Sequence, residues 1–234
     1  MGMKKRIVSM VFVSAALAAS ALDRADLDGR IHALTYKFES LQMQPDKRIP
    51  ADVLRRAQGI ILLDRTKAGI VFAYEGGGGV ALAKDPKTGR WSAPAFLTAS
   101  HASLGIQIGG EQNFFAILLM TTNAPRVLTD PHVDFGGDAR GTAGDSSAGA
   151  GAAVSDSERP VLVYDSRKGL YGGVSIKGGS IAPDETANRV YYGEALAMRD
   201  ILYEKKVEAT PVAKELIGKI VLYSRSPGAQ ESVR

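Results

Sequence analysis

Apolar residues recur at helical spacing near the beginning of the chain. The spacings are four, three, four and three, for Leu27, Ile31, Leu34, Phe38 and Leu41. This spacing places all of them on one face of a helix over residues 24–42. The opposite face mixes acidic and basic residues, whereas a helix that lies on a membrane usually has a mostly basic polar face. We therefore expect this helix to pack on its own domain.

After residue 58 the apolar pattern changes to short runs with a period of two, which is typical of strands. The predicted strands cover residues 60–63, 69–74, 80–83, 104–108, 114–120, 161–164 and 170–176. Residues 85–89 form a strong turn signal between two of them. The run over 114–120 is apolar at every position, which indicates a central strand that is buried on both faces.

Further helices are predicted on either side of these strands. Pro50 fits the first position of a short helix that ends at Gln58, and Pro211 fits that of a last helix reaching Leu222. Residues 184–206 have a helical pattern that Gly193 interrupts. We expect an α+β fold, with one curved, mainly antiparallel and partly barrel-like sheet on which N-terminal and C-terminal helices pack.

Two other segments have weaker patterns. Residues 123–130 are compatible with a short helix. Residues 136–157 are rich in Gly, Ala, Ser and Asp, so they predict a long loop or flat glycine-rich strands.

The first 21 residues contain the three parts of a secretory signal. Basic residues at 4–6 precede an apolar stretch over 7–17, and small residues follow at 19–21. The apolar stretch is short for a helix that spans a membrane. We expect cleavage after Ala21 and export to a bacterial periplasm or the exterior. The alternative is an uncleaved membrane tether.

The charge of the chain changes when this signal is set aside. All 234 residues contain 29 Lys plus Arg and 25 Asp plus Glu, a net charge of +4. Residues 22–234 retain 26 basic against 25 acidic residues, a net charge of +1. The bulk charge therefore gives no argument for an anionic partner, and aromatic residues are not interleaved with basic ones as in nucleic-acid binders. We expect no nucleic-acid partner.

Several kinds of chemistry are excluded or unsupported by composition. The chain has no Cys, which excludes disulfides, zinc–thiolate sites, iron–sulfur clusters and Cys nucleophiles. The three His residues lie far apart without metal-ligand spacing, and no Gly-x-Ser-x-Gly motif is present. We expect no catalytic residue, no metal and no cofactor.

A run of glycines at 76–79 follows a predicted strand, as in a dinucleotide-binding loop. The residues after it continue as a strand, whereas a phosphate loop leads into a helix N-terminus. A tight turn or bulge between two strands is therefore the preferred interpretation.

Basic residues cluster in one short region, at Lys47, Arg48, Arg55, Arg56, Arg65 and Lys67. Helical spacing does not group all of them, but the ends of helices and strands can bring several onto one surface. Near an anionic bilayer each basic residue contributes about 1 kcal/mol of attraction. These six residues are the candidate lipid-binding residues, and a solvated charged face is the alternative.

From Ile49 to the C-terminus the chain resembles the SYLF domain, a lipid-binding module of bacteria and eukaryotes. The most specific motifs are Trp91–Pro94, Gly169–Ser175 and Tyr191–Gly193, in this order. Structural roles are expected for the motif residues Gly69, Gly79, Trp91, Ser92, Pro94, Gly109, Gly169, Gly172, Gly173 and Tyr192. The resemblance implies phospholipid binding without enzymatic activity, with phosphoinositides as ligands of eukaryotic relatives and actin as a partner of some fungal ones.

These observations predict an exported, non-enzymatic protein that binds anionic phospholipid or a membrane surface of the bacterial envelope. The predicted organisation is a signal peptide (1–21), an N-terminal amphipathic helix (22–46), a SYLF-like lipid-binding domain (47–224) and a polar tail (225–234). One alternative is a structural or interaction module with an envelope protein partner, and another is a hydrolase acting on lipid or glycan. The oligomeric state does not follow from the sequence.

Overall fold

The computed structural model describes residues 22–65, 77–99, 113–122, 128–129, 161–166, 169–172 and 181–225. The helices in these segments are α1 (Arg24–Gln42), α2 (Ala51–Arg56), α3 (Glu185–Tyr192), α4 (Met198–Leu202) and α5 (Pro211–Tyr223). The strands are β1 (Gly59–Arg65), β2 (Gly77–Ala83), β3 (Ala95–Ala99), β4 (Asn113–Leu119), β5 (Val161–Asp165), β6 (Gly169–Gly172) and β7 (Ile181–Pro183).

The strands form one antiparallel sheet in the order β6-β5-β4-β1-β2-β3-β7. β1 lies at its centre, where Ile61 is opposite Ala81 of β2 and Ile117 of β4. Across the described segments the sheet is open, with β6 and β7 at its two edges. The α+β prediction of an antiparallel sheet with helices from both ends of the chain is confirmed.

Apolar side chains cover both faces of the sheet. Alternate residues of β1 point to opposite sides, so Leu62 joins a core with α1, α2, α3 and α5, and Leu63 joins a second core with α4. β4 follows the same rule, with Phe114 in the first core and Phe115 in the second. The prediction that β4 is a central strand buried on both faces is confirmed.

α1 packs on the domain through its apolar face, as predicted. Leu27, Ile31 and Phe38 are fully buried, and an Asp23 capping box begins the helix. Ion pairs connect its polar face to the rest of the fold, since Lys37 Nζ lies 2.5 Å from Asp64 of β1. These pairs explain why that face mixes acidic and basic residues.

α5 packs beside α1 and runs in the same direction. Lys219 Nζ lies 2.6 Å from Glu39, and the rings of Phe38 and Tyr223 meet edge to face at 5.9 Å. The Glu39 carboxylate raises the pKa of Lys219. Because the two helices are parallel, their C-terminal ends lie at the same end of the molecule.

Two of the predicted turns end at glycines with left-handed backbone, whereas the prediction of a tight turn or bulge at residues 76–79 is wrong for Gly77–Gly79, which belong to β2 and pair with its neighbouring strands. Gly89 has a φ of 69° and ends the turn that Asp85 begins, and Gly193 has a φ of 77° and ends α3. The predicted helical region over 184–206 is therefore two helices, α3 and α4, separated at Gly193 as expected. β3 and β7 were absent from the sequence prediction.

Several predictions fall on residues outside the described segments. They are the strands over 69–74 and 104–108, the helix over 123–130 except for residues 128–129, the glycine-rich segment over 136–157, and the signal over 1–21. Only the first part of the predicted strand over 170–176 is described, as β6.

Candidate functional site

A cavity of about 400 Å³ lies where the ends of α1 and α5 meet the beginning of α2. Three arginines line it together with one acidic residue, an amide and an aromatic ring. These residues are Arg48, Arg55, Arg225, Asp52, Gln42 and Tyr223. We refer to this feature as the basic cavity.

The local sequence explains how Arg48 reaches the basic cavity. The side-chain oxygen of Gln42, the last residue of α1, accepts a hydrogen bond from the Ile49 backbone N–H at 3.2 Å. The Ile49 side chain is itself buried. These two interactions fix the position of the segment between α1 and α2, and they hold the exposed Arg48 at the cavity wall.

α2 positions Arg55 by burying its opposite side. Val53 and Leu54 point into the core, which leaves Asp52, Arg55 and Arg56 exposed. The Arg55 carbonyl, near the C-terminal end of α2, accepts a hydrogen bond from Lys84 Nζ at 2.8 Å. Arg55 therefore belongs to a helix whose position is fixed by the burial of Val53 and Leu54 and by the hydrogen bond from Lys84.

The structure brings together two of the six basic residues that the sequence singled out, Arg48 and Arg55. Arg56 instead pairs with Asp52 at 3.3 Å, and Lys47 is half-buried and is not among the lining residues. Arg65 belongs to β1 and only its backbone is described, and Lys67 lies outside the described residues.

The lining of the basic cavity carries an excess of positive charge. The described lining residues include three arginines and one aspartate, and the Asp52 carboxylate already pairs with Arg56 outside the lining. A guanidinium presents a planar set of donors that matches the oxygens of carboxylates and phosphates. The arrangement is suited to binding an anion and offers no nucleophile paired with a base.

The lining residue Gln42 has a buried side-chain donor without an acceptor among the described residues. The residue is only 6% exposed, and among the described residues no group accepts a hydrogen bond from its Nε2. The bond from Ile49 N–H occupies the oxygen and so fixes which end of the amide is the donor. An unsatisfied buried donor costs about 1–3 kcal/mol.

Sequence reasoning missed Gln42 and Arg225. Arg225 was assigned to the polar tail, and it lies more than a hundred residues after Arg48. No local pattern links the two, because their proximity results from the parallel packing of α1 and α5. The only sequence signal was that both residues lie at the predicted ends of helices.

The motif residues Ser92, Pro94 and Tyr192 come together away from the basic cavity. Ser92 Oγ accepts a hydrogen bond from the Ala83 N–H at 3.1 Å and donates one to the Ala93 carbonyl at 2.8 Å. The Tyr192 hydroxyl donates to the Pro94 carbonyl at 2.5 Å. These contacts join β2, the segment before β3 and the end of α3, which supports a structural role.

Trp91 supports the wall of the basic cavity indirectly. The Lys84 ammonium lies 4.8 Å from the centre of the Trp91 ring, a distance at which a cation–π attraction operates. Burial lowers the pKa of Lys84. The same ammonium bonds the Arg55 carbonyl, so Trp91 and Lys84 together hold the end of α2.

Steric contact explains Gly79, which lies within β2. A Cβ at this position would lie 2.2 Å from the Leu62 carbonyl oxygen of β1, so only glycine fits. Gly169 and Gly172 pair with β5 at the edge of the sheet. Gly69, Gly109 and Gly173 lie outside the described residues.

We expect the Tyr192→Phe variant to be about 1 kcal/mol less stable at pH 7, because the Pro94 carbonyl loses its donor. Burial raises the pKa of Tyr192 above the ordinary value of 10.0. The neutral phenol therefore stabilises the fold fully below pH 10, and that contribution is lost as the pH rises further. Urea unfolding between pH 7 and pH 11 should show a shallower alkaline loss in the variant than in the wild type.

The exposed Tyr36 provides the control for this measurement. Tyr36→Phe removes a phenol that is 72% exposed and should leave stability at pH 7 unchanged. An equally steep alkaline loss in Tyr192→Phe and in the wild type would contradict the assigned role of Tyr192.

The described residues contain neither a cluster of metal ligands nor a membrane-spanning helix. Within those residues no group of three or more His, Cys, Asp or Glu side chains is arranged to hold a metal ion. No helix in the described part of the chain is both long and apolar enough to span a bilayer.

Comparison with known proteins matches a family described as Ysc84, "Las17-binding protein actin regulator", over residues 100–223. LAS seventeen-binding protein 3 of Saccharomyces cerevisiae is 35% identical over 161 residues, which cover 67% of this chain and 35% of the yeast protein. Protein YSC84 of the same yeast is 34% identical over 176 residues, covering 74% and 37%.

A vertebrate relative, the SH3 domain-containing YSC84-like protein 1 of Xenopus laevis, is 33% identical over 182 residues, covering 74% of this chain and 52% of that protein. The chain thus spans between about a third and a half of the length of these relatives. No solved structure matches. The matched region extends over most of the elements described above, and the chain belongs to the Ysc84 family of SYLF-domain proteins.

Proposed function

We propose that this chain is a non-enzymatic, membrane-peripheral protein that binds anionic phospholipid through the basic cavity. The observation that carries the proposal is the gathering of Arg48, Arg55 and Arg225 around one cavity, whose described lining includes a single acidic residue. The family and its yeast member are described as Las17-binding proteins, and the sequence contains no catalytic motif.

The mode of membrane contact differs from insertion of α1. The apolar residues of that helix fill the core, so inserting them into a bilayer would expose the core to water. The positive cavity needs no such rearrangement, since its arginines are already exposed. Binding is therefore electrostatic, weakens with salt and leaves the fold unchanged.

Co-sedimentation with vesicles tests the proposal. The full chain and its Arg48→Gln/Arg55→Gln variant are compared on phosphatidylcholine vesicles with and without phosphatidylglycerol. At about 1 kcal/mol for each basic residue, removing both charges should weaken binding to the anionic vesicles about 30-fold. Binding to neutral vesicles should stay low for both proteins.

The matched control removes the same charge elsewhere. Lys87 and Arg90 are exposed and lie outside the lining of the cavity, so Lys87→Gln/Arg90→Gln should weaken binding less than threefold. Equal losses in the two double variants would show that overall charge, and not the basic cavity, attracts the membrane.

We also propose export of the chain, on the basis of the signal pattern in residues 1–21. In a bacterial host the mass of the protein recovered from the periplasm should correspond to a chain that begins at Leu22. Recovery of the uncleaved chain from the cytoplasm would contradict this proposal.

A further inference from the structure

We propose that the basic cavity is a specific pocket for one phosphate group, in which the Gln42 side-chain amide donates a directional hydrogen bond and the three arginines neutralise the charge. This inference rests on the proposed function and deepens it. In place of a diffuse attraction between two charged surfaces, the cavity holds one phosphate ester, which is either a lipid head group or a small soluble molecule.

The first argument is the orientation of Gln42. Its oxygen accepts the Ile49 N–H, so its NH₂ group is the free end of the amide, at a residue that lines the cavity. With 6% exposure and no acceptor among the described residues, this donor lacks the partner that buried polar groups normally have. The Nε2 atom is itself closed to solvent, so an acceptor in the cavity reaches it through a small shift of the cavity wall on binding.

The second argument is the charge of that acceptor. A neutral acceptor would satisfy Gln42 but would leave the excess positive charge of the lining uncompensated. Arg48, Arg55 and Arg225 outnumber Asp52, whose carboxylate is already paired with Arg56. An oxyanion satisfies both requirements, and a phosphate has enough non-bridging oxygens to accept from guanidinium groups and an amide together.

The third argument is size. A cavity of about 400 Å³ lies in the lower part of the range of small-molecule sites, about 300–1,000 Å³. This volume exceeds the needs of a bare phosphate and leaves space for a small group esterified to it. A glycerol phosphate is the simplest chemical group of this kind that lipids also carry.

The competing explanation gives the arginines a purely structural role. α1 and α5 both end at this cavity, and cations near helix C-termini compensate the partial negative charge of the last carbonyls. That role requires no donor at Gln42. It predicts that added phosphate esters leave the protein unchanged, so the two explanations differ in a measurable way.

Calorimetric titration of the full chain with sn-glycerol 3-phosphate, and separately with inorganic phosphate, tests the inference. We expect binding of one molecule per chain. The Gln42→Glu variant keeps the side-chain shape and the acceptor for Ile49 N–H, but it loses the donor and adds a negative charge beside the arginines, so it should bind at least tenfold more weakly. Gln44→Glu is the control, because it makes the same change two residues away at a residue outside the lining and should bind like the wild type.

A second variant guards against misfolding of Gln42→Glu. Arg225 is exposed and follows the end of α5, so Arg225→Met should keep the melting temperature of the wild type and also bind at least tenfold more weakly. Absence of binding by the wild type, or equal binding by the wild type and Arg225→Met, would overturn the inference.

Vesicle competition separates the two sources of phosphate. If glycerol 3-phosphate displaces the wild-type protein from phosphatidylglycerol vesicles, the pocket holds the lipid head group and both proposals are supported. Binding of the soluble ester without vesicle binding supports the pocket and overturns the membrane role. Vesicle binding that soluble esters do not affect, and that Gln42→Glu retains, overturns the pocket and leaves the membrane role in place.

Discussion

Replacing Gly79 with Ala is expected to destabilise the protein by about 3 kcal/mol or to prevent folding. The new Cβ would lie 2.2 Å from the Leu62 carbonyl oxygen and 3.0 Å from the Leu63 Cα. Both of these atoms belong to the backbone of β1, at the centre of the sheet. A flexible side chain could move aside, but relieving this contact requires the two strands to separate and lose ladder hydrogen bonds.

The adjacent Gly78 is a matched control for this substitution. It lies in the same strand, and a Cβ there would meet no atom within 4 Å. We expect Gly78→Ala to change the free energy of unfolding by less than about 0.5 kcal/mol. Urea unfolding followed by circular dichroism measures both variants. Similar stabilities for Gly78→Ala and Gly79→Ala would contradict the inference that the close approach of β1 and β2 excludes a side chain at position 79.

Replacing Asn188 with Leu is expected to cost about 3 kcal/mol of stability. Its side-chain oxygen accepts from the Phe96 N–H at 2.8 Å, and its NH₂ group donates to the Phe96 carbonyl at 3.0 Å. The buried amide therefore acts as an additional peptide group on the edge of β3, next to the short β7. Leucine would leave the Phe96 N–H buried without an acceptor.

The effect of Asn188→Asp distinguishes hydrogen bonding from packing. Aspartate has nearly the same shape, keeps the acceptor for Phe96 N–H and places a buried charge beside the Phe96 carbonyl. We expect a loss as large as that in Asn188→Leu at pH 7. Protonation restores a donor, so the difference from wild type should decrease as the pH falls toward 4.

Thr186 of the same helix is the control for both Asn188 variants. Its side chain is exposed, so Thr186→Ala should alter stability by less than about 0.5 kcal/mol. Thermal and urea unfolding of the variants measure the comparison. A loss below about 1 kcal/mol in Asn188→Leu would contradict the role of Asn188 in completing the sheet.

The elements that the sequence predicted well are those whose side chains repeat regularly. The spacing from Leu27 to Leu41 reproduced the bounds of α1, because its buried stripe is continuous. The unbroken apolar run of β4 identified a strand between two cores. The short α2 was predicted as a longer helix, because helix ends lack the periodicity that marks helix interiors.

The missed strands have little sequence signal of their own. β3 has only five residues, follows Pro94 and includes three alanines or threonines among them. β7 has three residues and ends in a proline. Each is a strand because a neighbour pairs with it, and for β3 the amide of Asn188 also completes the pairing from 92 residues away. Such long-range contacts leave no periodic pattern.

In the candidate site, too, the sequence identified residues that are close together in the chain and missed those that only long-range packing brings together. Arg48 and Arg55 were identified because basic residues concentrate in one region, but Arg56 pairs with Asp52 and does not line the cavity. Gln42 and Arg225 were not identified. An amide at a helix end is ordinary in a sequence, and only the burial of Gln42 and its bond to Ile49 make it a directed donor.

By itself, the sequence determined the fold class, the docked α1, the doubly buried β4 and membership of the SYLF family. Those properties depend on side chains close together in the chain, or on motifs preserved in order. The tertiary structure alone decided that α1 and α5 run parallel and end at one cavity, which Arg225 and Arg48 both line. The physical reason is that packing two buried helix faces against one sheet fixes where their ends meet, and this depends on the whole core.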